Sequence, residues 1–267
     1  MELPFKRILC GVEGNPASTE AARQAIALAG AGGGELQFTA VYTSFELGPD
    51  YHRDTLEDSL VDARGLAGDA GVAASTQLRE ARYAIDVLLP EGQEHDLLVL
   101  GTHGKSRTTG LMFGSTATEA AHGTARPLLI AREAPEGAQG FPSQILFASD
   151  GTRVSMAPAR AAAGLAAAFG AKLGVVHVED GKHEEAGSAL EEQLAEIERI
   201  GGGAPEVSRR SGHATREIIE AAADQGASLL VAGRRGLRGL KSLGSVSERV
   251  VSGAGCSVLL VPTAETA

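Results

Sequence analysis

Leu97-Leu98-Val99-Leu100 runs directly into Gly101-Thr102-His103-Gly104, and after nine further residues comes Gly114-Ser115-Thr116. A short apolar strand, a glycine loop and a Ser/Thr-led helix make the layout of a phosphate cradle. Glycine lets the backbone take positive φ and approach an anion closely, and the free N–H groups at a helix N-terminus supply donors and partial positive charge. A nucleotide is the ligand this stretch predicts.

Working outward, the same text occurs twice. Ile8-Leu9-Cys10-Gly11-Val12-Glu13-Gly14 recurs as Ile145-Leu146-Phe147-Ala148-Ser149-Asp150-Gly151. Leu97 to Gly104 recurs as Leu229 to Gly236, and Gly114-Ser115 as Gly244-Ser245. A repeat of this length is a duplicated domain, since solenoid units span roughly 20 to 50 residues. Residues 1–137 and 143–267 are the expected domains, with Pro135, Gly137, Gly140 and Pro142 marking the linker. At 267 residues the chain is long enough for each copy to bury its own core.

Within the first copy, strands are predicted at Ile8–Val12, Leu36–Tyr42, Val72–Leu78, Leu97–Leu100 and Leu128–Ala131. Helices are predicted from Ser18, over Leu56–Ala70, Ala84–Glu91 and Ser115–His122. Leu56, Leu60, Ala63 and Ala67 keep helical spacing, and in the second copy Leu190, Leu194 and Ile197 do the same beside an acidic face that includes Glu191 and Glu192. Strands and helices that alternate strictly, with near-continuous apolar strands, imply an α/β fold in each of two tandem copies, a parallel sheet of the five strands covered by helices on both faces. Ligands of such sheets sit at the carboxyl ends of the strands where the strand order reverses. The Glu13 turn and the Gly101 loop both follow such strands.

The net charge of −10 disfavours non-specific nucleic-acid binding, which needs a basic surface. No tryptophan is available for stacking on single strands, and no stretch is apolar enough to span a bilayer. Cys10 and Cys256 are the only cysteines, each in an apolar strand, and the N-terminus leads straight into the first strand without a secretory signature. A cytoplasmic protein with reduced, buried thiols is expected, with no membrane and no nucleic acid among its partners.

With the glycine loop, the acid closing the first strand and the duplication together, the chain resembles a tandem universal stress protein. ATP-binding members of that family carry G-x2-G-x9-G-S/T, which Gly101, Gly104, Gly114 and Ser115 match without a gap. Gly233, Gly236, Gly244 and Ser245 match the same elements with seven residues in place of nine. The resemblance implies two tandem Rossmann-like α/β domains, each with a five-stranded parallel sheet, in a stress-response regulatory protein that binds ATP with Mg2+ and has an unidentified protein partner. It implies roles for Glu13 and Asp150 at the adenine amine, for the Val41 and Val178 backbones beside the adenine ring, and for Thr116 next to Ser115 at the phosphates. Glu13 departs from the family's usual aspartate, which Asp150 keeps. Domain 2, with its shorter loop, is expected to be the weaker or degenerate site, although Arg234, Arg235, Arg238 and Lys241 make that loop basic.

The family resemblance also implies an intrachain pseudo-dimer through Leu128–Ala131 and Val258–Val261, as a monomer or a homodimer. Helix capping is the competing explanation of the serines: Ser115 with Thr118, Thr116 with Glu119 and Ser245 with Glu248 fit N-cap or capping-box spacing. No paired acid and base and no metal-ligand cluster stand in the sequence, so no catalytic residue is assigned. Slow ATP hydrolysis, autophosphorylation at Ser115 or Thr116, and a nucleotide-independent interaction module remain the alternatives.

Overall fold

In the computed structural model the described residues are 5–42, 49–102, 114–133, 140–179, 186–201, 203–234 and 243–263. They form two units, Phe5–Glu133 (domain 1) and Ala134–Ala267 (domain 2). Domain 1 runs β1 (Arg7–Gly11), α1 (Pro16–Gly32), β2 (Glu35–Tyr42), α2 (Pro49–Asp69), β3 (Ala74–Glu80), α3 (Ile85–Gln93), β4 (Leu97–Gly101), α4 (Ser115–Gly123) and β5 (Leu128–Ala131). Its strands lie side by side in the order β3-β2-β1-β4-β5, and β1 to β4 and their neighbours pair in parallel. Ile8, Leu9, Cys10 and the whole of Leu97–Leu100 are buried because helices cover both faces of these central strands.

Domain 2 repeats the plan with β6 (Gln144–Ser149), a single 3-10 turn at Arg153–Ser155, α5 (Met156–Phe169), β7 (Lys172–Glu179), α6 (Ala186–Gly201), β8 (Glu206–Ser211), α7 (Ala214–Asp224), β9 (Leu229–Arg234), α8 (Ser245–Gly253) and β10 (Ser257–Pro262). Its strand order, β10-β9-β6-β7-β8, is again parallel throughout. Both copies therefore reverse strand order beside their first strand, β1 in one and β6 in the other.

The duplication extends to joints built from different residues. The Asp96 carboxylate accepts the N–H groups of Lys6 and Arg7 at 3.1 and 2.9 Å, pinning the start of β1 to the start of β4. In domain 2 the Ser228 hydroxyl accepts from Ser143 and Gln144 at 2.9 and 3.2 Å and does the same for β6 and β9. Burial raises the Asp96 carboxyl, but the hydrogen bonds from the Arg7 and Lys6 amides and the Arg7 guanidinium outweigh it and hold the group below its ordinary value. Gly33 and Gly170 end α1 and α5 in the left-handed conformation, where a side chain would be strained.

Two boundaries and one buried face differ from the sequence expectation. α1 starts at Pro16 rather than Ser18, because Asn15 takes the cap and proline suits the first helical position. Val72 belongs to the end of α2: its N–H bonds Ala67 O at 2.8 Å after Gly71 turns at φ +70°, so β3 begins at Ala74. In α6 the inward positions are Leu190, Gln193 and Ile197, and Leu194 is half-buried.

Candidate functional site

In domain 1 the carboxyl ends of β2, β1 and β4 carry Val41, the Glu13 turn and Gly101 side by side. Asn15 organises the middle of this rim. Its side-chain carbonyl accepts Ser18 N–H at 2.8 Å as the cap of α1, and its amide donates to the exposed Glu13 carboxylate at 2.6 Å. Gly101 is glycine for proximity, not for torsion. A Cβ there would fall onto the Ala17 carbonyl and within 2.8 Å of Ser18 N, so the end of β4 presses directly on the first turn of α1.

Thr102 follows, 4 % exposed, its N–H bonded to Ala131 O at 3.1 Å and its hydroxyl without a hydrogen-bond partner. Such an orphan is costly in a folded protein and is uncommon. Across the loop, Gly114 caps α4 at φ −59° and ψ 142°, with no side-chain hydrogen bond at the cap. Among the described residues no atom beyond its chain neighbours lies within 4 Å of the position its Cβ would take. Ser115 is exposed at the first helical position and Thr116 half-buried at the second. The first intrahelical bond is Thr118 N–H to Gly114 O at 2.9 Å, so the amides of the first turn point out of the helix.

These positions correct two expectations. Neither Ser115 nor Ser245 is a capping residue: Gly114 and Gly244 hold the caps and offer no side chain to the helix amides, and the Thr118 hydroxyl donates instead to Gly114 O at 3.1 Å. The S-x-x-T/E spacing is read one residue too early when the cap is a glycine. Gly114 also lies in ordinary extended backbone, so what it offers is open space and not a positive φ. His103, Gly104, Lys105 and Arg107 lie outside the described residues.

Domain 2 builds its rim differently. Asp150 Oδ1 accepts Thr152 N–H at 2.9 Å, Thr152 Oγ1 at 2.7 Å and Ser155 Oγ at 2.8 Å, closing the turn that leads to α5. Beneath that turn lies a buried polar chain. Ser149 Oγ donates to Gln193 Oε1 at 2.6 Å and accepts Gly151 N–H at 3.0 Å, and Gln193 Nε2 donates to Thr152 O at 2.6 Å. His177 Nδ1 sits 3.1 Å from Ser149 O. The equivalent residues of domain 1, Val12, Ala40 and Leu56, are apolar and buried. Sequence reasoning missed this chain; its signals were His177 interrupting an apolar strand and Gln193 three residues after Leu190.

The remaining second-copy residues fall as follows. Val178 pairs with Arg210 of β8, as Val41 does with Arg79 of β3. A Cβ at Gly233 would meet side chains, Thr263 Cγ2 at 2.9 Å and Pro158 Cγ at 3.5 Å, a softer obstacle than the backbone facing Gly101. Ser247 Oγ donates to Gly233 O at 2.8 Å, tying the first turn of α8 to the end of β9. Arg234 stands where domain 1 has Thr102, and its half-burial lowers the guanidinium pKa. Gly244 caps α8 at φ −66° and Ser245 takes the first helical position, while Arg235, Gly236, Arg238 and Lys241 lie outside the described residues. Among the described residues no cluster of His, Cys, Asp or Glu could hold a metal, and no helix is long and apolar enough to cross a membrane. Both cysteines are free and buried, and burial pushes the Cys10 thiol pKa far up.

The sequence profile of the universal stress protein family matches residues 4–132 and again residues 143–262. A universal stress protein of Mycolicibacterium smegmatis is 27 % identical over 135 residues, 47 % of this chain and 45 % of that protein. The chain thus spans under half the length of that relative. The crystal structure of a universal stress protein from Archaeoglobus fulgidus superposes with a TM-score of 0.79 at 18 % identity, over 96 % of this chain and 97 % of the other. A functionally unknown protein from Pseudomonas aeruginosa gives 0.70 at 17 % identity, over 97 % and 93 %. At these identities the two structures speak for the fold alone.

Proposed function

The chain belongs to the universal stress protein family, and from that premise we propose that it is a stress-response regulatory protein that binds ATP with Mg2+ through the glycine loop of domain 1. One observation carries the reading: among the described residues no side chain caps the first-turn amides of α4 behind Gly114, and none fills the space where its Cβ would stand. A triphosphate takes up those amides and enters that space. The unpartnered Thr102 hydroxyl and the close approach at Gly101 fit a loop that is completed by a ligand. Glu13 faces the base edge and the Val41 backbone flanks the ring. The metal is held by phosphate oxygens and water, as Mg2+ commonly is. Occupancy then stabilises one conformation for a protein partner, in a reducing cytoplasm that suits two buried free thiols.

For domain 2 a second reading is favoured by its own residues. Three local donors occupy one oxygen of Asp150, and seven residues separate Gly236 from Gly244 where domain 1 has nine. We assign it a weaker nucleotide site or an interaction role without nucleotide. The test is calorimetric titration of the full chain with ATP–Mg2+ and, separately, GTP–Mg2+. Saturable binding of ATP, tighter than GTP, supports the proposal; heats no larger than dilution with both nucleotides overturn it.

A further inference from the structure

α3 and α4 of domain 1 border a cleft of about 600 Å3, within the range of small-molecule sites. Ile85, Leu89 and Pro90 give it apolar lining, and Asp86, Glu119 and His122 its polar groups. Asp86 and Glu119 are exposed, and among the described residues neither has an ion-pair partner. One further feature adds negative potential: Pro90 has no N–H to return to the Asp86 carbonyl four residues back, which leaves that oxygen without its helical donor. The helix dipoles offset each other, since α4 lines the cleft with its carboxyl half and α3 with its amino half, so the negative charge of the cleft rests on the two carboxylates and that carbonyl.

Domain 2 supplies an internal comparison. Leu89 packs at Gly123, which ends α4, as Ile219 does at Gly253, which ends α8. Counting from those residues, Asp86 corresponds to Arg216 and Glu119 to Arg249, so the acidic pair is replaced by a basic one. Arg216 is moreover paired with Glu217 at 2.9 Å. The acidity is thus a property of the first copy and not of the fold.

We propose that the α3–α4 cleft of domain 1 binds a small amphipathic organic cation, an ammonium or amidinium group carried on an aromatic or aliphatic body. The lining residues on each helix, 85–90 and 118–123, span only about 7.5 Å at 1.5 Å per residue. A docked partner helix needs about 10.5 Å to use anchors at i, i+4 and i+7, so the cleft suits a small molecule better than a helix. The apolar lining takes the body of the ligand, and the two carboxylates with the Asp86 carbonyl take its charge. This site is separate from the nucleotide reading, which concerns the other end of α4.

The test is an NMR titration of the full-length chain, following backbone amides, with phenethylammonium in one arm and phenylacetate of the same size in the other. The expected result is saturable shifts at Asp86, Leu89, Glu119 and Gly123 with the cation, and none at the Arg216 and Arg249 positions. The double variant Asp86→Asn/Glu119→Gln, both exposed positions, is expected to weaken the cation about fivefold while the rest of the spectrum is unchanged. Equal response to cation and anion, no saturation with the cation, or unchanged affinity in the double variant would each overturn the proposal.

Discussion

Replacing Gly114 by valine separates the proposed nucleotide site from the stability of the domain that carries it. At φ −59° and ψ 142° the backbone is one that valine adopts without strain, and among the described residues nothing beyond the chain neighbours meets its Cβ within 4 Å. The cost to folding is limited to a poorer helix cap, about 1 kcal/mol, which lowers the melting temperature of a unit this size by about 4 °C. The cost to binding is larger. The added methyl groups occupy the space through which a phosphate reaches the amides of the first turn, and losing one charge-assisted bond costs about 1.5 to 3 kcal/mol. A tenfold or greater loss of ATP affinity corresponds to about 1.4 kcal/mol and is the smallest effect we expect. Calorimetry of the full chain with ATP–Mg2+, beside a thermal melt, reads both quantities. Gly101→Ala is the contrasting variant: its Cβ meets the Ala17 and Ser18 backbone, so stability itself drops by about 1 to 3 kcal/mol. Unchanged ATP affinity in folded Gly114→Val would refute the reasoning about the cradle.

Further expectations concern both copies. With each glycine loop disabled in turn, domain 2 binds ATP at least about tenfold more weakly than domain 1, as read with a fluorescent ATP analogue; equal affinities would contradict this. Gln193→Leu removes the acceptor of the Ser149 hydroxyl proton and one donor to the Thr152 carbonyl, which keeps the Ser155 N–H, and costs about 1 to 3 kcal/mol in urea unfolding. The triple change Ser149→Val/His177→Ala/Gln193→Leu installs the apolar set of domain 1 and recovers most of that loss; additive losses would show that the polar chain is not one unit. Hydrogen bonds from Arg199 and Arg160 hold the Glu196 carboxyl down to about 2, below its ordinary value of 4.5. A depressed carboxyl contributes stability above its unfolded value and loses it as pH falls through the folded one. Melting temperatures should therefore drop between about pH 4.5 and about pH 2, less steeply in Glu196→Gln; an identical slope in that variant would exclude this pair as a source.

The parts of the fold legible in the sequence were those fixed by burial. Leu97–Leu100 and Leu128–Ala131 are buried along their whole length, so continuous apolar runs gave the strands, and the duplication gave the second copy. Gly101 was legible only as a spacing, because what demands a glycine there is the Ala17 carbonyl and Ser18 amide of α1, far away in the sequence. The cap of α4 was misread because a glycine cap leaves no polar side chain to recognise, and the serine after it carries the same spacing signal. Gln193 was missed because Leu190, Leu194, Ile197 and Leu190, Gln193, Ile197 are both helical patterns. Only the presence of Ser149 and the Thr152 carbonyl beneath α6 selects the second.

Native mass spectrometry of the full chain equilibrated with ATP and Mg2+ tests the central claim most directly, because it weighs the ligand and counts it per chain. The account predicts an ATP–Mg2+ adduct on the unmodified protein, one per chain before any second, and its loss in Gly114→Val. A chain that stays bare in ATP, or a folded Gly114→Val variant that carries the adduct equally, would contradict it.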